Sequence, residues 1–354
     1  MKNILITGGA GFIGSNLAVA LQSEGNRVVC FDNLSRRGSE ILLQRIQEYG
    51  CSFVHGDIRN AEDFFKLNDS FDVLVECSAE PSVLVGVHGD DARFQTNNNL
   101  FGTVNCLEFA RIRRIPLLFL STSRVYPYSA INKLNFREDE SRFEYADYRA
   151  GAGPGGISTS FPLQGFRSLY GATKLSSEYL LQEYSGLYNL PSIINRCGVI
   201  AGPWQLGKAD QGIFTYWLYR HYYSRDLKYI GYGGRGKQVR DLLHIDDLIA
   251  LLKKQIEVLE HYRGEIFNVG GSTYSSLSLC EATELCRSIT GNVIPIAGIA
   301  EDRAADLKWY ITDNGDTEAV FDWKPQKTPA TILNDTYSWL TACGKKFSSL
   351  FGET

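Results

Sequence analysis

Six short apolar runs, separated by stretches of helical spacing, limit the folds open to this chain. They are NILIT (3–7), RVVCF (27–31), SFVHG (52–56), DVLVEC (72–77), PLLFLS (116–121) and SIINR (192–196). Runs that are apolar throughout, without alternation, suit strands covered on both faces, and such strands belong to parallel sheets. Parallel neighbours need a crossover between them, usually a helix. FIGSNLAVALQSEG, ILLQRIQEYG and NNNLFGTVNCLEFARIRR supply crossovers with helical periodicity. The βαβαβ rhythm predicts an α/β fold: a Rossmann-type doubly wound parallel sheet, joined to a smaller α/β substrate lobe.

Two stretches break the rhythm. Residues 128–167 form a long insertion containing AGAGPGG, and insertions of that length in a compact domain are usually functional or mobile. After 197 the pattern turns irregular, with aromatics dense over 214–232 and glycines clustered at 231–236. The expected division is a dinucleotide-binding domain over 1–196, with 239–269 returning to it. Residues 197–238 and 270–354 then form the second lobe.

Composition narrows the function classes. A formal charge of -4 gives no electrostatic reason to expect nucleic acid or an anionic membrane. No apolar stretch approaches the roughly 18 residues that span a bilayer. The N-terminal apolar run ends in a glycine turn, unlike a signal peptide. Eight scattered cysteines without a CxxC pair, and five dispersed histidines, predict a reducing, cytoplasmic setting and no metal site.

The segment TGGAGFIG (7–14) follows the first strand and opens the first helix. Gly8 permits the tight turn, Gly11 lets backbone approach a pyrophosphate, and Gly14 lets helix pack on strand. The helix then turns free N–H groups and a positive dipole end toward the phosphates. A glycine triplet alone also describes an ordinary turn; strand, turn, helix and second strand in order favour a dinucleotide. Asp32, at the end of the second strand, can accept both ribose hydroxyls and repel a 2′-phosphate, which selects NAD. Arg36 and Arg37 leave NADP open, and Asp57 stands where adenine would pass.

SLYGATK (168–174) carries Tyr170 and Lys174 four residues apart, on one face of a predicted helix. With 19 tyrosines in the chain, one YxxxK arises readily by chance. Position gives it weight, because STSRVY (121–126) ends the fifth strand one unit earlier, at the same sheet edge as the glycine turn. Thr122 and Ser123 bring hydroxyls there. A phenol titrates near about 10, so Tyr170 needs a fall of roughly 3 units to act as a base near neutrality. An adjacent ammonium and a cationic nicotinamide both push it that way.

GxxGxxG, Asp32, a Ser/Thr strand end and YxxxK together resemble the extended short-chain dehydrogenase/reductase family of NAD-dependent nucleotide-sugar epimerases and dehydratases. Longer strings, DNLSRRGS (32–39), HGDIRN (55–60), ADQG (209–212), GKQVRDLLHIDDL (236–248) and FNVGGS (267–272), resemble its CDP-paratose 2-epimerase branch. The resemblance implies Tyr170 as acid/base, Lys174 as its partner and Thr122 as the hydroxyl holding the reacting sugar oxygen. It implies cofactor contacts at Gly8, Gly11, Phe12, Ile13, Gly14, Asp32, Asn33, Ser35, Arg36, Asp57, Ile58, Ser78, Ala79, Asn97, Ser121 and Arg196. Substrate contacts fall to Glu80, Ser123, Arg124, Cys197, Gln211, Gly212, Gln238, Arg240 and Arg303. The two last, Arg240 and Arg303, suit a diphosphate through fork-like charge-assisted bonds.

Two departures stand out. Family dehydratases carry an Asp-Glu pair directly after the threonine, where this chain has Ser123 and Arg124. Without those acids, elimination lacks its proton donor and acceptor. ECSAEPSV (76–83) also replaces a more usual His-led run, which brings Glu80 near the expected substrate position. The implied partner is a nucleotide-diphosphate sugar, a CDP-deoxyhexose by the closer resemblance, acted on by a homo-oligomer. A UDP-sugar 4-epimerase, a nucleotide-sugar reductase and a non-catalytic NAD-binding scaffold or sensor remain as alternatives.

Overall fold

The computed structural model describes residues 1–87, 91–208 and 211–351. The chain divides into two compact units. The first comprises Met1–Val125, Ser168–Arg196 and Ile249–Phe267; the second comprises Tyr126–Arg167, Cys197–Leu248 and Asn268–Thr354. The insertion therefore folds with the second unit, which is of about the first's size.

The first unit is built on a seven-stranded parallel sheet. Its strands are β1 (Asn3–Thr7), β2 (Arg27–Asp32), β3 (Ser52–His55), β4 (Val73–Glu76), β5 (Leu117–Thr122), β6 (Ser192–Cys197) and β7 (Arg263–Val269). Across the sheet the order is β7-β6-β5-β4-β1-β2-β3. Strand order reverses between β1 and β4, where doubly wound sheets open their ligand crevice. The helices α1 (Phe12–Ser23), α2 (Ser39–Glu48), α3 (Gly102–Arg113), α4 (Leu169–Tyr188) and α5 (Ile245–Val258) make crossovers or cover the sheet.

Every residue of β4, β5 and β6 is buried, as expected for strands covered on both faces. On one face Leu5, Val29, Phe31, Leu74, Leu117, Phe119 and Ile194 meet Cys106, Leu107 and Ala110 of α3 and Leu181 of α4. Full burial of each large apolar side chain contributes about 1.5–3 kcal/mol. Side chains two apart on a strand share a face. Thr7, Glu76 and Ser121 thus continue that face beyond Leu5, Leu74 and Phe119, and a polar strip succeeds the apolar core beneath α3 and α4.

The second unit centres on the wholly buried strand Val239–His244. It pairs in parallel with Val199–Ala201 and Trp309–Tyr310 and antiparallel with Ser276–Ser278. Of the stretch 239–269, only Ile249–Phe267 lies in the first unit. VRDLLH fills the centre of the second unit's own sheet. Within the insertion, Phe136–Glu138 and Phe143–Tyr145 form a small antiparallel pair. No helix among the described residues is long and apolar enough to cross a membrane.

Candidate active site

The turn after β1 is shaped for close backbone approach. Gly8 takes φ +66°, and a Cβ there would lie 2.9 Å from the backbone of Cys77 and Ser78. A Cβ on Gly14 would collide with the Gly8 carbonyl oxygen. Gly11 donates its N–H to that carbonyl at 2.9 Å and forms the N-cap of α1, which no described side chain caps. The first N–H groups of α1, at Phe12 and Ile13, are therefore presented as a helix start that suits a pyrophosphate.

Asp32 closes β2. Its carboxylate accepts the Ala10 N–H at 3.1 Å and the Leu34 N–H at 2.8 Å, so it fixes the glycine turn. Burial pushes this carboxyl up, against the pull of those backbone bonds. Asn33 reaches from the same strand end to Asp57 at 2.9 Å, and Arg59 donates to both Asp57 oxygens. Burial acts to raise Asp57, but the Arg59 and Asn33 bonds prevail and bring it down to about 2. Ser35, Arg36 and Arg37 are exposed beyond the strand end, while Ile58 is buried.

The family resemblance implies Asn97 on the helix beside the cofactor. In the structure Asn97–Phe101 is a π-helical turn leading into α3, Asn97 is exposed, and Asn99 is the fully buried asparagine. Asn99 accepts the Glu80 N–H at 2.8 Å and donates to the Glu80 carbonyl at 3.0 Å. It thereby clamps the loop holding Ser78 and Ala79. The Glu80 carboxylate accepts the Ser82 N–H at 3.1 Å, a local turn contact. Asn99 was not among the expected site residues; it lies within this π-helical turn, two residues beyond Asn97.

The helix bearing Tyr170 and Lys174 is fixed at its start by Ser168, whose hydroxyl accepts the Gly171 N–H at 3.2 Å. Gly171 packs against the Arg124 carbonyl so closely that any Cβ would collide with it. This approach joins α4 to the Thr122–Arg124 segment at the end of β5. Thr122 and Tyr170 are nearly buried, and the Thr122 hydroxyl accepts the Arg124 N–H at 3.2 Å. Lys174 is 2% exposed, with Nζ 4.1 Å from the centre of the Phe119 ring.

One turn further along α4, Glu178 is completely buried. It accepts the Ser121 hydroxyl at 2.5 Å and the Arg196 Nη2 at 2.7 Å. Ser121 and Arg196, expected at the cofactor, are thus engaged by Glu178 and tie β5, β6 and α4 together. Glu76, at the end of β4, was not singled out as a site residue. It is fully buried, with Oε2 3.2 Å from the Thr103 hydroxyl. Burial pushes its carboxyl up, opposed by the Lys174 charge.

In the second unit Arg240 stands on Val239–His244. Its Nη1 donates to the Val239 carbonyl at 2.7 Å and its Nη2 to Asp306 at 2.8 Å. The sequence neighbours Asp241 and Asp246 are not its partners. Arg303 is half-buried, three residues before Asp306. Gln238 is buried and donates to the Ile230 carbonyl at 2.8 Å. Gln211 exchanges backbone bonds with Lys208, Gly212 (φ +67°) forms the N-cap of Ile213–Tyr222, and Cys197 is buried.

A doubly wound sheet with an open glycine turn, an acid closing β2, and a buried tyrosine and lysine on α4 define a dinucleotide-dependent enzyme. The chain belongs to the NAD dependent epimerase/dehydratase family, which it matches over residues 4–270. NAD is its cofactor and its class is that of the family's isomerases. The chain is 29% identical over 346 residues to CDP-paratose 2-epimerase of Salmonella typhi, covering 96% of this chain and 99% of that one. The solved UDP-glucuronic acid 4-epimerase of Bacillus cereus, in complex with UDP-glucuronic acid and NAD, superposes with TM-score 0.79. Its identity is 25%, with 96% of this chain and 99% of that one covered. The dTDP-glucose 4,6-dehydratase of Bacillus anthracis, in complex with NAD, gives TM-score 0.77 at 25% identity, covering 99% and 100%.

Proposed function

We propose that the chain is a nucleotide-sugar epimerase that inverts one sugar carbon by transient oxidation to a keto-sugar, turnover of that sugar and reduction on its other face. The observation that carries this reading is the joining of α4, with buried Tyr170 and Lys174, to the end of β5, where Thr122 is followed by Ser123 and Arg124. Those two positions hold neither the acid nor the carboxylate that an elimination requires.

The residues around NAD would act as follows. Gly8, Gly11, Gly14 and the start of α1 would face the pyrophosphate. Asp32 would accept from the adenosine ribose with lone pairs not taken by Ala10 and Leu34. Asn99 would hold the loop at Ser78 and Ala79. When bound, NAD supplies a site that accepts and returns a hydride. Tyr170 takes the proton from the sugar hydroxyl and later restores it, and Thr122 holds the same oxygen. Lys174 stabilises the phenolate. Arg240 and Arg303 would clamp the diphosphate while the sugar turns, and this requires Arg240 to exchange Asp306 for phosphate.

Two substrate readings each have an observation behind them. The 29% identity to CDP-paratose 2-epimerase, and the strings that resemble that branch, favour a CDP-linked deoxyhexose inverted at C2. The likeness to UDP-glucuronic acid 4-epimerase favours a UDP-sugar inverted at C4. A panel of CDP- and UDP-sugars followed by proton NMR separates them by the carbon that inverts. Tyr170→Phe is expected to lower the rate about a thousandfold. A Tyr170→Phe protein with undiminished activity contradicts the assignment. Apolar side chains exposed on α3 and α4, including Ile112, Tyr179 and Leu187, support a homo-oligomer.

A further inference from the structure

The polar strip beneath α3 and α4 contains one carboxyl group that the reaction scheme does not use. Glu76 is 0% exposed, and its Oε1 has no hydrogen bond among the described residues. Among the described residues Lys174 is the cation that acts on it, and it rests its Nζ on the Phe119 ring.

Hydrogen counting favours a protonated Glu76. The Thr103 hydroxyl has a single proton. It lies 2.7 Å from the Asn99 carbonyl and 3.2 Å from Glu76 Oε2. A carbonyl can only accept, so the shorter bond takes the Thr103 proton. The longer contact then needs a proton from Glu76. An ionised Glu76 would be a buried anion with neither a full donor nor a paired cation, an arrangement of high cost.

We propose that Glu76 is a positioning residue that works as a neutral carboxylic acid, donating to Thr103 and leaving the Lys174 charge uncancelled for Tyr170. The chain of bonds runs from the Glu76 acid to the Thr103 hydroxyl, then to the Asn99 carbonyl. The Asn99 side chain closes on Glu80 and sets the loop after β4. A neutral acid under Lys174 satisfies the strip without opposing the ammonium. Burial raises the carboxyl in the sense this requires. The other groups facing Glu76 are Thr7 on β1, Phe119 on β5 and Cys106 on α3, whose thiol burial pushes up. Glu178, further along α4, is committed to Arg196 and Ser121.

The inference rests on the assignment of Tyr170 as acid/base, and its test keeps the two apart. Protein labelled with 13C at glutamate Cδ is titrated from about pH 5 to about pH 9. One glutamate carboxyl is expected to remain protonated at about pH 7 and to be missing from Glu76→Gln. Tyr170, followed through 13Cζ-tyrosine and identified by its loss in Tyr170→Phe, is expected to titrate in Glu76→Gln within about 0.3 pH units of the unsubstituted protein. The amide that Glu76→Gln introduces can still donate to Thr103, so the loop stays set. Two results overturn the inference. One is a set of glutamates that all ionise in the ordinary carboxylate range. The other is a Tyr170 midpoint lowered by about one pH unit in Glu76→Gln, the size expected when a nearby unit charge is removed. The glutamate titration needs only the unsubstituted protein, so misfolding of the variant does not shield the inference. Undiminished activity in Tyr170→Phe sinks the catalytic assignment instead, whatever Glu76 does.

Discussion

Two buried acids, Glu178 in the first unit and Asp241 in the second, are held in different ways. In the first, Glu178 and Arg196 neutralise each other at 2.7 Å with side chains 0% and 3% exposed, and Ser121 completes the carboxylate's bonding. In the second, Asp241 is equally buried but has no ion-pair partner among the described residues; it accepts the Ser272 N–H at 3.2 Å, and Arg240 beside it turns to Asp306. Burial drives the Asp241 carboxyl up to about 6. The difference teaches that a closed pair holds its geometry through mutual bonds, whereas a lone acid pushed up by burial makes stability depend on pH near neutrality. The first arrangement lies under the tyrosine and lysine, where geometry must hold while protons move.

The largest expected effect comes from opening the closed pair. Glu178→Gln leaves Arg196 charged and buried without a counter-ion, and unfolding stability is expected to fall by about 3–5 kcal/mol. Urea denaturation of purified protein measures it. A loss under about 1 kcal/mol would mean that water or rearrangement reaches the pair and that the comparison is false.

Next is the lone acid. A folded-state value above the ordinary 3.8 means that Asp241 contributes stability fully present below about 4 and lost as pH rises through about 6. That contribution is about 3 kcal/mol. Asp241→Asn cannot ionise, so stability measured against pH should lose this downward slope. An unchanged slope would locate the titration elsewhere.

The smallest effects are at helix starts. Ser278 accepts the Glu281 N–H at 3.0 Å, receives the Glu281 side chain on its own N–H and donates to the Ser141 carbonyl. Ser168 makes the single cap bond to Gly171. Ser278→Ala should cost about 2 kcal/mol and Ser168→Ala about 1 kcal/mol. Because Ser168 seats the helix of Tyr170, only Ser168→Ala should also slow turnover.

Much of the first unit was legible. Strands β1 to β6 coincide with the expected runs, most plainly β4, β5 and β6, where residues covered on both faces have no reason to alternate. The glycine turn, Asp32 and the helix of Tyr170 are local features, and each lies where its motif indicated. Three features escaped because they depend on what is not local. Asn99 is buried in a π-helical turn and holds the Glu80 backbone, a placement that a 3.6-residue period does not mark. Glu76 ends an apolar run, and nothing local marks that it is buried beneath α3 and α4. VRDLLH reads like any core strand, and only its pairing with Val199–Ala201, Ser276–Ser278 and Trp309–Tyr310 assigns it to the second unit. The same pairing puts Arg240 within reach of Asp306, 66 residues along the chain, which spacing could not reveal.

The most direct test is to incubate the purified protein with nucleotide sugars, without added NAD, and follow the products by NMR. The account predicts interconversion of two isomers differing at one carbon, with no net change in the cofactor and loss of the reaction in Tyr170→Phe. Product formed only as NAD is consumed in equal amount would contradict it and make the protein a dehydrogenase.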